Sequence, residues 1–219
     1  MRADTDEILR FLGVGEPVPE QLRRQAEEEA GALSAAAPPR YVYRVYPLER
    51  EGEDFCLAGS GVTLGGRTAR LMLSGCTRAA LLCCTLGAGF EALLRARQVR
   101  DMARAVILDA AGSALVEAGC DAAQEELARR AEGQYLTDRF SPGYGDLPLS
   151  LQPAVCAALD AGRRLGVQVT DSLLLNPSKT VTAVIGLSAR PQMARVRGCD
   201  FCALRESCQL RKGGRRCGL

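Results

Sequence analysis

Apolar and polar positions change period several times along the chain, and each change marks an element. Asp6 to Leu12 carries a short helical pattern, and Pro19 to Leu33 a longer one, rich in Glu, Gln, Arg and Ala and opened by a proline suited to a first helical turn. Ala35 to Pro39 ends it. Arg40 to Leu48 sets Tyr41, Tyr43 and Tyr46 beside Val42 and Val45, which predicts a strand, and Cys56 to Leu64 reads as a second strand interrupted by glycine. A short helix over Thr68 to Leu73 precedes Ala79 to Thr85, an unbroken apolar run that reads as a buried strand. Leu86-Gly87-Ala88-Gly89 then turns the chain into helical sequence, where Phe90, Leu93, Leu94, Val99, Met102, Val106 and Ile107 recur at three-and-four spacing as far as Gly119.

Asp121 to Ala131 predicts a further helix, and Glu132 to Leu149 an irregular stretch holding Gly133, Pro142, Gly143, Gly145 and Pro148. A helix over Pro153 to Leu165 and a strand over Val181 to Leu187 follow. Helices and strands do not alternate regularly, so the expected class is α+β, an antiparallel or mixed sheet with long helices.

Charge changes this picture at one end. The 219 residues carry 28 Lys+Arg against 26 Asp+Glu, a net +2 that gives no global pull toward nucleic acid or membrane. Yet Arg190 to Leu219 holds eight basic residues and two acidic ones, leaving −4 for the rest. Residues 1–190 are therefore expected to form the α+β body, and 191–219 a small basic Cys-rich tail. Asp4, Asp6, Glu7 and Arg10 interrupt the opening residues, unlike a secretory leader, and no apolar run reaches membrane-spanning length. A cytoplasmic location is expected, with no membrane partner.

The chain has no histidine, which excludes a Ser-His-Asp triad, His-based acid/base catalysis, His-containing metal sites and a His ligand to a corrinoid cobalt. Gly87-Ala88-Gly89 completes neither GxGxxG nor a P-loop. Four of the ten cysteines, Cys199, Cys202, Cys208 and Cys217, fall within 19 residues of the tail. Four thiolates at that density can ligate an iron-sulfur cluster or form an all-Cys zinc site, and the surrounding Arg and Lys favour the thiolate form. A cluster is the first expectation, with zinc and reduced thiols as alternatives. The tail has only Phe201 as an aromatic, so a nucleic-acid partner is not expected. The other cysteines, Cys56, Cys76, Cys83, Cys84, Cys120 and Cys156, sit mostly in apolar segments and read as structural thiols.

The second candidate is RFSPGYGDLP, Arg139 to Pro148. Pro142-Gly143 suits a type II turn, which would set Arg139 and Tyr144 facing one another across it. An Arg fork can hold a carboxylate, a turn backbone can meet a purine edge, and an aromatic ring can cover a sulfonium or an adenine. The plain alternative is a surface turn with a structural Arg and a packed Tyr.

This loop, the following helix, the segment Gly166 to Ser172 and NPSKTVTAVIGLS (Asn176 to Ser188) together resemble the activation domain of cobalamin-dependent methionine synthase, and more closely the free-standing activation subunit of split enzymes. The pattern is Arg, three residues, Gly-Tyr, a nearby Pro, a helix, a Gly-containing turn, a Thr/Ser-rich segment and a Ser/Val-rich strand. About half the chain is covered. The resemblance implies S-adenosylmethionine bound by Arg139, Ser141, Pro142, Gly143 and Tyr144, with Arg139 on the methionyl carboxylate. It departs where the family has an acidic residue six positions before the Arg, here Gly133 beside Glu132, and where Gly145-Asp146-Leu147-Pro148 follows the Tyr. Asp146 is the candidate replacement as a negative partner for the sulfonium.

The implied role is that of a component of methionine synthase, a methyltransferase. It would reductively remethylate cob(II)alamin carried by a corrinoid-binding methionine synthase subunit, with a flavodoxin-like or other electron donor. No catalytic side chain is implied. The alternatives are a reactivator of another corrinoid methyltransferase, using a tail iron-sulfur cluster, and a non-catalytic docking module with a metal tail. Protein isolated without oxygen is expected to be brown, with iron near cluster stoichiometry; a colourless preparation holding zinc would reverse the order of expectation.

Overall fold

The structure, a computed structural model, describes residues 1–15, 17–131, 133–192, 206–207 and 212. Cys199, Cys202, Cys208 and Cys217 lie outside the described residues, as does Glu132. The chain forms two compact units, one of Met1–Val42, Cys83–Glu125 and Asp160–Val181, the other of Tyr43–Leu82, Glu126–Leu159 and Thr182–Leu219. Six strands pair in one antiparallel sheet: β1 (Arg40–Glu51), β2 (Asp54–Leu57), β3 (Val62–Leu64), β4 (Arg78–Thr85), β5 (Tyr135–Leu136) and β8 (Thr180–Ser188), in the order β3-β2-β1-β4-β8-β5. The α+β class and the antiparallel alternative both hold. β4 and β8 lie inside the order, and their long buried runs suit strands covered on both faces. Thr77 N–H donates to the Leu187 carbonyl at one end of that pair (3.1 Å), and Leu86 N–H to the Lys179 carbonyl at the other (3.0 Å).

In the first unit, α1 (Thr5–Phe11) begins at Asp4, whose carboxylate accepts the N–H groups of Asp6 and Glu7, both at 3.0 Å. It packs against α2 (Glu20–Ala36). The helical sequence after Gly87 forms α4 (Gly87–Arg100) and α5 (Met102–Arg130), and its break falls elsewhere than the pattern predicts. Asp101 is extended (φ −158°): its N–H closes α4 on the Arg97 carbonyl, while its carboxylate caps α5 on Arg104 N–H. Gly119, where the sequence reading ended the helix, lies inside α5. A side chain there would meet Cys84 Sγ at 2.6 Å and Pro39 Cβ at 2.7 Å, so this glycine serves close packing and not termination.

α2 is clamped to both of these helices by Glu29. Its carboxylate is fully buried and takes Arg104 Nε at 2.6 Å and Arg97 NH2 at 3.1 Å, while Arg104 also reaches Glu28 at 2.8 Å. An isolated buried carboxylate would be prohibitive, and two guanidinium groups make this one tenable. The unit also holds α7 (Ala161–Leu165) and the hairpin of β6 (Gln168–Val169) and β7 (Leu175–Asn176).

In the second unit, the residues read as one glycine-interrupted strand are β2 and β3, because Gly59 and Gly61 at φ +74° and +72° turn the chain back. α3 (Gly66–Leu73) follows them. A 3-10 turn (Leu149–Leu151) leads into α6 (Gln152–Leu159), and the single helix predicted to Leu165 is broken at Asp160, which adopts φ +54°. Gln152 is tied to β8 through a 2.6 Å bond from the Thr182 hydroxyl.

Glu29→Ala should lower unfolding free energy by about 3 kcal/mol, the low end for a broken buried pair because the partly exposed arginines can turn to water. Arg163→Ala, which removes an exposed pair with Asp160, should leave the urea midpoint unchanged.

Candidate ligand-binding loop

The loop is built on an edge pairing. In β5, Tyr135 opposes Ser188 and Leu136 opposes Leu187. Thr137 continues the pairing: its N–H donates to the Gly186 carbonyl at 3.0 Å, and its hydroxyl accepts Gly186 N–H at 2.9 Å. Gly186 permits this approach, since a Cβ there would meet Thr137 Cγ2 at 3.0 Å and Cys76 Sγ at 2.5 Å. Phe140 and Val184 then exchange both backbone hydrogen bonds, at 3.1 and 2.7 Å. Between these points Asp138 and Arg139 face Ile185 alone. Two residues opposite one make a β-bulge, a device that bends a strand and re-aims its side chains. Arg139 therefore sits in the bulge, only 8% exposed, beside the fully buried Phe140.

After the bulge come two tight turns. Tyr144 N–H donates to the Ser141 carbonyl at 3.0 Å with Gly143 at φ +95°, the type II geometry expected of Pro142-Gly143. Leu147 N–H returns to the Tyr144 carbonyl at 2.9 Å, with Gly145 at φ +57°, and Gly143 N–H bonds the Leu147 carbonyl at 2.8 Å. The buried Leu147 anchors the end. These bonds consume the N–H groups of Gly143 and Tyr144, whereas among the described residues no hydrogen bond takes up the carbonyls of Pro142 and Gly143. Gly143 is exposed, so its carbonyl is an acceptor within reach of a ligand, whereas Pro142 is buried. Arg139 and Tyr144 occupy different surroundings: the guanidinium-bearing residue is buried, and the phenol ring is 54% exposed.

Asp146 is committed elsewhere than the sequence reading placed it. Its two carboxylate oxygens accept Arg67 N–H at 2.6 Å and Thr68 N–H at 2.9 Å, and its own N–H points to the Thr68 hydroxyl at 3.4 Å. The cap position of α3 is Gly65, which has no side chain to do this, so a residue 79 positions beyond Arg67 closes the helix N-terminus. Gly66 and Gly145 make room, since a Cβ on Gly66 would come 2.7 Å from Asp146 Oδ2 and one on Gly145 would strike Thr68 Oγ1. Hydrogen bonding from Thr68, by hydroxyl and then backbone, and from Arg67 N–H holds the carboxyl at about 2 against the usual 3.8. The carboxylate therefore stays ionised, and the start of α3 is the role its hydrogen bonds define.

The remaining chemistry is quiet. Among the described residues no three Cys, Asp or Glu side chains gather as a metal site. Cys83, Cys84, Cys120 and Cys156 are buried thiols, and burial pushes Cys76 up to about 11, away from reactivity. No described helix is long and apolar enough to cross a membrane.

By sequence, the chain matches neither a family model nor a curated protein. By structure, it is similar to a crystal structure described as the MetH reactivation domain bound to AdoHcy, with a TM-score of 0.65 over 99% of this chain and 86% of that one, at 17% identity. The chain has the fold of that domain. The loop Arg139 to Tyr144 is therefore carried on a reactivation-domain backbone, while each side chain must be argued from its own surroundings.

Asp146→Ala should cost about 1 kcal/mol, the usual worth of a cap. The sign follows from a depressed carboxyl: the cap contributes fully above pH 4 and is lost as pH falls toward 2. Urea titrations of the two proteins should thus differ at pH 6 and converge near pH 2.

Proposed function

We propose that the chain binds S-adenosylmethionine at Arg139, Ser141, Pro142, Gly143 and Tyr144 and serves the reductive remethylation of a corrinoid carried by a separate methionine synthase subunit. The observation that carries this reading is the bulged Arg139 beside a type II turn with an exposed Gly143, on the fold of a domain whose crystal structure holds AdoHcy. The donor set fits the ligand. A guanidinium can take the methionyl carboxylate as a fork, the turn of Ser141, Pro142 and Gly143 can present the Gly143 carbonyl to an adenine amino group, and the exposed Tyr144 ring can cover a sulfonium.

In this reading the overall reaction takes one external electron and the methyl group of S-adenosylmethionine onto the partner's cobalt, releasing S-adenosylhomocysteine. The chain's own residues act by positioning. Arg139 fixes the amino-acid end of the ligand, the turn fixes the base, and Phe140 and Leu147 hold the loop against the sheet, so that methyl and acceptor meet in one orientation. No proton changes hands, which suits a chain without histidine. Residues 1–190 would supply this body, and the tail cysteines a metal site whose electron source is a separate donor.

Calorimetric titration of S-adenosylmethionine is expected to show saturable binding, competed by S-adenosylhomocysteine. Arg139→Lys should weaken it at least about tenfold through loss of the fork, and Tyr144→Ala several-fold, with thermal midpoints recorded because Arg139 is buried. Absence of binding, alone and with the cobalamin-loaded subunit present, would overturn the reading in favour of a docking module.

A further inference from the structure

Gln152 opens α6 and is buried, only 7% exposed. Its Oε1 accepts the Thr182 hydroxyl at 2.6 Å. Among the described residues no group bonds its Nε2, and that nitrogen is not sealed from solvent. Buried polar groups are almost always satisfied, so a carboxamide held by its oxygen, with its N–H groups left over, calls for a partner outside the chain. Packing does not ask for it: the other buried residues of α6 are Val155, Cys156 and Leu159, and a methionine would fill the place without leaving a donor open.

Two contacts within the second unit place this amide beside the candidate loop. Leu149 begins the 3-10 turn before α6, and its Cδ1 lies 2.8 Å from where a Cβ on Gly143 would stand. Gln152 follows three residues on, with its N–H on the Leu149 carbonyl, and side chains three apart in a 3-10 turn share a face. Thr182 stands two residues from Val184 on the same face of β8, where Phe140 ends its pairing and the chain leaves for the Pro142-Gly143 turn. The carboxamide thus lies between the base of the loop and the helical turn packed on Gly143.

The turn by itself reads only half of an adenine edge. Gly143 offers a carbonyl acceptor to the amino group, but the N–H groups of Gly143 and Tyr144 are spent within the loop and Pro142 has none. The ring nitrogen beside that amino group needs a donor, and a glutamine carboxamide is a common complement to such an edge. We propose that Gln152 Nε2 donates to the adenine ring nitrogen beside the amino group, with the Thr182 hydroxyl fixing the carboxamide, and that this bond sets the preference of the site for adenosyl ligands. This deepens the function proposed above and rests on it.

The test is calorimetry on the full chain with S-adenosylhomocysteine and its 1-deaza and 7-deaza counterparts, each of which replaces one of the two flanking ring nitrogens by C–H. The wild type should bind one of these analogues about tenfold more weakly than the parent. Gln152→Glu keeps an acceptor for Thr182 at a helix start that tolerates a carboxylate, and Gln152→Met keeps the volume. Both variants should bind the parent about tenfold more weakly and lose the discrimination, because ring nitrogen and amide act as one pair. A glutamine with a structural role alone would weaken all three ligands alike. If the wild type binds the parent but distinguishes neither analogue, or if variants with an unchanged thermal midpoint still distinguish them, Gln152 does not read the base and the function stands. A wild type that binds none of the three, alone or with the cobalamin-loaded subunit, ends both readings.

Discussion

The pairing of residues 135–140 with β8 is the constraint on which the candidate site depends. Its hydrogen bonds are regular at Tyr135, Leu136 and Thr137, slip by one residue at Asp138 and Arg139, and resume at Phe140. The slip is stable because both sides of it are anchored, by the Thr137–Gly186 bonds and by the buried Phe140. Everything beyond it inherits a fixed starting direction. The two turns, the exposed Gly143 and the exposed ring of Tyr144 follow from that and from a compact set of backbone bonds within the loop.

A second tie fixes the other side of the loop. Asp146 closes the start of α3, so the loop and the helix order one another through bonds that neither segment could form alone. Two glycines, Gly66 and Gly145, border this contact, where a Cβ would collide with Asp146 or Thr68. Such a loop is preformed, and a ligand that uses it does not meet the cost of ordering it.

In the first unit a single carboxylate plays the corresponding part. Glu29 joins α2 to α4 and α5 from within, and the break between those helices is set by Asp101 acting at once as the end of one and the cap of the next.

Local pattern determined much of this protein. The buried strands β4 and β8, the long helical stretch after Gly87, the Pro142-Gly143 turn and the α+β class are all written in spacing and composition, because periodicity and turn chemistry act between near neighbours. What tertiary structure alone decided involves partners far apart in the chain. The bulge at Arg139 exists only against Ile185, and nothing in RFSPGYGDLP announces a register slip. Asp146, read from its neighbours as a ligand's counter-charge, is claimed by a helix start 79 residues earlier. Gly119, read as a stop, is a point of contact with Cys84 and Pro39, and the true break at Asp101 is a residue that capping chemistry could have flagged. A glycine or a carboxylate has more than one use, and which use wins is settled by whatever packs against it.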